Sequence, residues 1–284
     1  MQQEKSLIMI LFPNAKINIG LQVTSRRPDG YHNLDTVFYP IPLHDSLEVV
    51  EQSTTNGNDC LLHLLGNALE GNPADNLVVK AYRLLKQNYD LPPIEIYLYK
   101  YIPSGAGLGG GSSDATFMLR LLNGLFNLGI DDDRLVAMAT TLGADCPVFV
   151  RNVPAYATGI GEVLTPLSFS LKGYTIAVVK PDVFVSTREA FSHVIPKEPE
   201  VTLDKKILLP VNEWRGIITN DFEQSVLPLH PELSTVKDTL YALGATYASM
   251  SGSGSAFYGI FVDDSLPDNW QQHFPGCFCW SSPL

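Results

Sequence analysis

The chain has 284 residues, of which 45% are hydrophobic and 17% are charged, and it carries a formal net charge of −11. This composition is typical of a globular protein with one large domain or two of modest size. The charge argues against nucleic acid as a partner, because a basic face should supply most of that affinity. A local basic pocket for an anionic ligand is still compatible with it.

The four cysteines are the first features to bound the protein's environment. Cys60, Cys146, Cys277 and Cys279 lack the paired spacing of metal sites, which predicts reduced thiols and a cytoplasmic location. The first apolar run, residues 7–12, is too short for a signal segment or a membrane span. It predicts the first strand, and no membrane partner.

Residues 15–23 alternate strictly and predict a second strand. One face carries Ile17, Ile19, Leu21 and Val23, and the other carries Lys16, Asn18, Gly20 and Gln22. A lysine on such a strand most often faces solvent. Asparagine and glycine are uncommon in strands, however, so this face also indicates that another group approaches it.

A turn and an aromatic pair follow this strand. Pro28-Asp29-Gly30 has turn chemistry, and Tyr31 and His32 come directly after it. The two rings could form a platform for a planar heterocycle, or they could simply be packed. An extended apolar region is predicted over residues 34–50, an irregular segment over 51–75, and a helix over 75–86 capped by Asp75.

A glycine-rich stretch, residues 103–113, lies between an apolar strand at 94–102 and an amphipathic helix. A glycine loop that opens a helix directs bare N–H groups and a helix dipole at one place, which favours phosphate binding over a plain turn. The stretch lacks Gly-Lys-Ser/Thr, so it is not a P-loop. The dinucleotide fingerprint is disfavoured because Pro103 and Ser104 separate its first glycine from the strand.

Acidic residues mark the next helix and the bend that follows it. Asp131, Asp132 and Asp133 are predicted to cap a helix over residues 134–143. Asp145 then lies on a bend between small residues, before a predicted strand at 148–150. Its carboxylate either caps its own backbone or faces a cleft.

The second half of the chain begins with a predicted domain change around residues 154–166, which are rich in Gly, Pro and Thr. The patterns then predict a strand at 174–180, a short helix at 186–193, a loop at 195–212, and helices at 220–229 and 231–244. Residues 248–262 place a small-residue loop beside a strand. A hairpin turn and a second phosphate-facing loop explain that loop equally well.

Three motifs together resemble the GHMP small-molecule kinase superfamily. They are residues 13–19, 103–113 and 251–257, in that order along the chain. The resemblance implies an α+β fold with two domains. Residues 1–158 would form an ATP-binding domain of the ribosomal S5 domain 2-like type, and residues 159–284 a ferredoxin-like substrate-binding domain.

A narrower resemblance rests on residues 26–34, 76–81, 142–149 and 159–162. These stretches are similar to the GHMP kinases that phosphorylate the 2-hydroxyl of 4-diphosphocytidyl-2-C-methyl-D-erythritol with ATP, in the non-mevalonate isoprenoid pathway. The alternatives are another GHMP kinase, acting on homoserine, mevalonate or a sugar, and a non-catalytic binding protein with the same fold. Retention of both Lys16 and Asp145 argues against the last.

The resemblance also implies roles for individual residues. Asp145 would be the catalytic base and Lys16 its partner, since a hydroxyl nucleophile needs a carboxylate to take its proton and a cation to stabilise the alkoxide. Tyr31 and Phe191 would sandwich the cytosine, with His32 at its edge and Asn18 near the reacting hydroxyl.

The remaining implied roles concern the nucleotide. Asn76 and Lys100 would lie near the adenine, and Ser112, Ser113 and Asp114 near the phosphates and Mg²⁺, whose ligands stay open. ATP and a cytidyl substrate are the expected partners of a monomer or weak homodimer. The second glycine loop is Gly252, Ser253 and Gly254. The expected ATP-binding residues are Asn76, Lys100, Pro103, Ser104, Gly105, Ala106, Gly107, Leu108, Gly109, Gly110, Gly111, Ser112 and Ser113.

Overall fold

The computed structural model describes residues 8–52, 59–67 and 71–284. Predictions that fall on residues 1–7, 53–58 and 68–70 lie outside the described residues. The strands are β1 (Ile8–Leu11), β2 (Asn14–Arg26), β3 (His32–His44), β4 (Ser46–Glu51), β5 (Cys60–Gly66), β6 (Ile94–Lys100), β7 (Ala155–Thr158), β8 (Val163–Pro166), β9 (Tyr174–Lys180), β10 (Tyr247–Met250), β11 (Phe257–Val262) and β12 (Phe278–Pro283). The α-helices are α1 (Leu77–Lys86), α2 (Gly110–Leu125), α3 (Asp132–Leu142), α4 (Val148–Arg151), α5 (Thr187–Phe191), α6 (Leu203–Lys206), α7 (Asp221–Val226) and α8 (Pro231–Ala242).

One compact unit is formed by the described part of residues 1–15, 43–104 and 109–152. Its sheet has the order β1-β4-β6-β5, in which β5 runs parallel to β6 and the other pairs are antiparallel. Helix α2 packs on β1, β4 and α1. Its residues from Ala115 to Leu122, except Arg120, are buried, because the helix packs on α1, α3 and α4 as well as on the sheet.

The other compact unit is formed by residues 16–42, 105–108 and 153–284. It contains a sheet of order β2-β3-β7-β8 and an antiparallel sheet of order β10-β11-β9-β12. Helix α8 packs on β10 and β11. A single apolar core joins residues of β2, β9 and β11 to α7 and α8, including Val23, Val179, Phe222, Leu240 and Phe261.

The structure corrects several predicted elements. Asn76, not Asp75, caps α1, because its Oδ1 accepts a bond from Val78 N at 3.0 Å. Residues 148–150 are not a strand but part of α4, which continues the helical backbone of Pro147. The irregular segment predicted over 51–75 contains β5, whose seven residues pair with β6 along its whole length. Its sequence has no alternation, so pairing rather than pattern determines the strand.

The loop predicted over 195–212 is also partly helical. It contains α6 and the beginning of a 3₁₀ helix, Val211–Glu213. The cap predicted for α3 is confirmed, because the Asp131 carboxylate accepts a bond from Arg134 N at 2.8 Å. The predicted start of α8 is confirmed too, with Pro231 at its first position.

The domain boundary predicted between residues 158 and 159 falls between β7 and β8, which pair in antiparallel register. It stays a prediction. Among the described residues, no helix is both long enough and apolar enough to cross a bilayer.

Candidate active site

Lys16 lies on β2 and is 2% exposed, so the solvent-facing interpretation is wrong. Its Nζ donates to Asn18 Oδ1 at 2.6 Å and to the carbonyl oxygen of Gly107 at 3.2 Å. It also lies 4.9 Å from the centre of the Phe38 ring. A buried ammonium is stable only with such partners. The Lys16 ammonium is therefore a buried cation that its partners hold beside the glycine loop.

The glycine loop adopts the backbone that its composition predicts. Gly105, Gly107 and Gly109 have φ values of 61°, 72° and 71°, a region that other residues rarely occupy. A Cβ on Gly107 would lie 1.9 Å from Ser251 O, so only glycine fits there. Ala106 and Leu108 are buried, and their carbonyls accept bonds from Ala256 N and Lys16 N.

The loop leads directly into α2, as predicted. Gly109 is the N-cap, and no side chain of the described residues caps the helix. The first N–H groups of an α-helix have no partner within the helix, and its dipole adds positive charge there. Together these features are typical of an anion-binding helix start.

The second glycine loop connects β10 to β11, so it is a hairpin connection. Gly252 and Gly254 have φ values of 54° and 84°, and Ser253 lies between them. Ser251 Oγ donates to Gly107 O at 2.8 Å, next to the bond from Lys16. The first glycine loop therefore contacts the residue before the second glycine loop through the carbonyl oxygen of Gly107.

Asp145 is half-buried in the turn that joins α3 to α4. The turn is fixed to α2, because Thr116 Oγ1 donates to Cys146 O at 2.8 Å. Burial raises the pKa of the Cys146 thiol to about 11, and the Asp145 charge contributes to that rise. The Cys146 thiol therefore stays neutral, and Asp145 supplies the carboxylate of this turn.

A cavity of about 250 Å³ lies in the same compact unit as Asp145. It brings together four of the predicted nucleotide-binding residues: Asn76, Lys100, Ser104 and Gly111. Leu64, Leu77 and Leu98 give it apolar walls, and Asp75 and Asp114 complete it. This mixed lining offers a ligand both an apolar surface and hydrogen-bonding groups.

Lys100 forms a buried ion-pair cluster with Asp45 and Asp114 beside this cavity. Asp45 Oδ1 also accepts bonds from the N–H groups of Tyr101 and Ile102, so both oxygens of this carboxylate are hydrogen-bonded. Burial raises the pKa of Asp114 to about 7, against the opposing charge of Lys100. Burial alone would lower the pKa of Lys100, but Asp114 and Asp45 outweigh it and raise that pKa.

Of the three residues expected around the cytosine, Tyr31, His32 and Phe191, the structure stacks only His32 and Phe191 on each other. The His32 ring stacks on Phe191 at 4.8 Å between centroids, with 16° between planes, whereas Tyr31 is 61% exposed. Burial and the nearby charge of Arg26 lower the pKa of His32. His32 is therefore a neutral imidazole at physiological pH, able both to donate and to accept a hydrogen bond.

Sequence reasoning missed Asp45 and Leu64. Asp45 stands alone between two apolar strand segments, and that isolated carboxylate was the available signal. Leu64 lies on β5, within the segment predicted to be irregular. The approach predicted at Gly20 comes from the protein itself, because a Cβ there would lie 2.8 Å from side-chain atoms of Ile218 and of Leu203.

Comparison with known proteins defines the class. The family model "GHMP kinases N terminal domain" matches residues 76–152, and "GHMP kinases C terminal" matches residues 209–276. The fold is also that of a solved homoserine kinase from Cytophaga hutchinsonii, with a TM-score of 0.68 at 17% identity, covering 100% of this chain and 97% of that chain. The protein is thus a two-domain α+β kinase of the GHMP class.

The similarity narrows among curated relatives. A 4-diphosphocytidyl-2-C-methyl-D-erythritol kinase of Bacteroides thetaiotaomicron is 55% identical over 97% of this chain and 100% of its own length. The corresponding kinase of Porphyromonas gingivalis is 50% identical, over 96% and 99%. A crystal structure of a 4-(cytidine 5'-diphospho)-2C-methyl-D-erythritol kinase has a TM-score of 0.80 at 35% identity, covering 96% of this chain and 98% of that chain. The chain belongs to the 4-diphosphocytidyl-2-C-methyl-D-erythritol kinase family.

Proposed function

We propose that this protein transfers the terminal phosphate of ATP to the 2-hydroxyl of 4-diphosphocytidyl-2-C-methyl-D-erythritol, a step of the non-mevalonate isoprenoid pathway. The observation that carries the proposal is the buried Lys16 ammonium bound to Gly107 O of the glycine loop. A fixed cation beside a phosphate-binding loop is what phosphoryl transfer requires, since that reaction depends mostly on positioning and charge stabilisation.

The proposed chemistry assigns a role to each group. Asp145 takes the proton of the substrate 2-hydroxyl as the oxygen attacks the terminal phosphorus of ATP, and ADP leaves. Lys16 stabilises the developing alkoxide and the transferred phosphoryl group. The bare N–H groups at the start of α2 hold the phosphates, and Asn18 lies near the reacting hydroxyl.

The cavity and the aromatic residues are the proposed binding sites for the two bases. The cavity lined by Asn76, Lys100 and three leucines accepts the adenine. Phe191 provides the stacking surface for cytosine, with Tyr31 as its second face and neutral His32 at the base edge. Gly252, Ser253 and Gly254 support the glycine loop from its far side.

Mg²⁺ is proposed as the metal that accompanies ATP. No group of three or more His, Cys, Asp or Glu side chains suited to a metal is present among the described residues. That fits Mg²⁺, which is commonly held by one or two carboxylates together with substrate phosphates and water. The Ser112 hydroxyl is the group proposed to face it, and the ion would neutralise phosphate charge. A cytoplasmic location and a monomeric or weakly dimeric state stay predictions.

Substrate choice is tested by incubating the protein with Mg-ATP and, in turn, 4-diphosphocytidyl-2-C-methyl-D-erythritol, homoserine and mevalonate. We expect ADP release with the cytidyl substrate alone, because only that substrate carries a base that can stack on Phe191 and Tyr31. ADP release with homoserine or mevalonate, and none with the cytidyl compound, would contradict the proposal.

A further inference from the structure

We infer that Thr36 is a positioning residue that orients the Asn18 amide and thereby holds the Lys16 ammonium in place. This inference rests on the proposed function, in which Lys16 acts on the reacting groups. Thr36 lies on β3, is fully buried, and has no role in the sequence-based assignment of the site.

The three side chains form a continuous buried chain of hydrogen bonds. Thr36 Oγ1 donates to Gly20 O at 2.6 Å and accepts from Asn18 Nδ2 at 3.0 Å. Asn18 Oδ1 in turn accepts from Lys16 Nζ at 2.6 Å. Lys16 and Asn18 are each 2% exposed, and Thr36 is 0% exposed.

This chain of bonds has only one allowed direction. Gly20 O can only accept, so it takes the single hydroxyl proton of Thr36. Thr36 Oγ1 is then left to accept, and the group facing it must be the Asn18 NH₂. The amide oxygen of Asn18 consequently faces Lys16, whose ammonium can only donate. The requirements at the two ends agree on the same amide orientation.

The rest of Asn18 is fixed independently of Thr36. Its backbone N–H donates to Ser251 Oγ at 3.2 Å, and its carbonyl oxygen accepts from Tyr258 OH at 2.9 Å. Thr36 therefore determines only which way the side-chain amide of Asn18 is turned. Without the hydroxyl, a flipped amide would present its NH₂ to the Lys16 ammonium, placing donor against donor.

The test uses Thr36→Val, which keeps the shape but removes the hydroxyl, and Thr36→Ser, which keeps the hydroxyl. We expect Thr36→Val to lower kcat about 10- to 100-fold with little change in KM for ATP, a smaller effect than the about 100- to 1000-fold of removing a charge-stabilising group itself. Thr36→Ser should stay within about threefold of the parent protein. Thr24→Val is the matched control, since it removes a hydroxyl bond to Asn33 O between the same two strands.

A second readout does not depend on turnover. NMR of the lysine ammonium groups, with Lys16→Met identifying the Lys16 signal, should show a slowly exchanging ammonium in the parent protein. The signal should be retained in Thr36→Ser and lost in Thr36→Val. If no substrate of the panel is turned over but this pattern holds, the proposed function fails while the positioning role stands.

Three results would overturn the inference. The first is Thr36→Val with normal kcat, and the second is equal loss of kcat in Thr36→Val and Thr36→Ser, which would assign the effect to packing. The third is an unchanged Lys16 ammonium signal in Thr36→Val.

Discussion

Lys16 and Asp145 carry the proposed chemistry from opposite kinds of surroundings. Lys16 is buried on a strand and held by Asn18 and Gly107, whereas Asp145 is half-buried on a turn tied to α2 through Thr116. A catalytic base needs access to the proton that it removes, and a charge-stabilising cation benefits from exclusion of water. The two positions fit these different requirements.

Asp145→Asn should lower kcat at least about 100-fold while ATP binding is preserved, because the amide cannot accept the hydroxyl proton but keeps the size of the side chain. Steady-state ADP release and ATP titration measure the two quantities. Asp133→Asn is the matched control, since its exposed carboxylate pairs with Arg151 on the surface. Normal turnover in Asp145→Asn would remove Asp145 from the role of base.

Phe191→Ala should raise KM for the cytidyl substrate about 10-fold or more, because the substitution removes the aromatic ring on which the cytosine would stack. KM for ATP should not change. Phe191 also contacts Phe222 edge-on at 4.7 Å between centroids, so the variant should be assayed well below its unfolding temperature. An unchanged KM for the cytidyl substrate would mean that the base stacks elsewhere.

At the scale of elements, the glycine loop depends on close backbone contact with the loop between β10 and β11. Gly107 combines a positive φ with a carbonyl oxygen, Ser251 O, at the place where a Cβ would be. Gly129 has a similar φ of 67°, but no atom of the described residues lies within 4 Å of the corresponding place. Comparing alanine substitutions at Gly107 and Gly129 therefore separates two contributions to the free energy of unfolding. One is the strain of a positive φ, and the other is the clash of the added Cβ.

Gly107→Ala should lower the free energy of unfolding by about 3 kcal/mol, from about 1 kcal/mol of left-handed backbone strain and about 2 kcal/mol of overpacking. Gly129→Ala should lose only about 1 kcal/mol. Urea unfolding of both variants measures the difference. Equal losses would show that the second loop moves aside without cost.

At the scale of the whole molecule, two buried carboxyl groups oppose folding as pH rises. Burial raises the pKa of Asp114 to about 7 and that of Asp35 to about 6. An unfolded aspartate titrates near about 3.9. Between these values the folded protein holds a proton that the unfolded chain has released, so each group makes the free energy of unfolding fall as pH rises.

Asp114→Asn replaces one of these two titrating carboxyl groups with an amide that does not titrate. The difference in the free energy of unfolding, parent minus variant, should therefore fall between about pH 4 and pH 7 and then level off. For Asp35→Asn the difference should level off nearer to about pH 6. Urea unfolding at several pH values measures both curves, and a pH-independent difference for Asp114→Asn would refute the raised pKa.

The sequence by itself determined the local features of this protein: the alternating strand with Lys16, the glycine loop that opens α2, and the caps of α3 and α8. These depend on contacts between near neighbours in the chain, on glycine's tolerance of positive φ, and on motif spacing, from which the GHMP class also followed. Tertiary structure alone decided that Lys16 is buried, that Thr36 faces Asn18, that Asp45 pairs with Lys100, and that the non-alternating residues of β5 form a strand. Each of these rests on a partner distant in sequence, whose hydrogen bonds and desolvation exist only when the chain has folded.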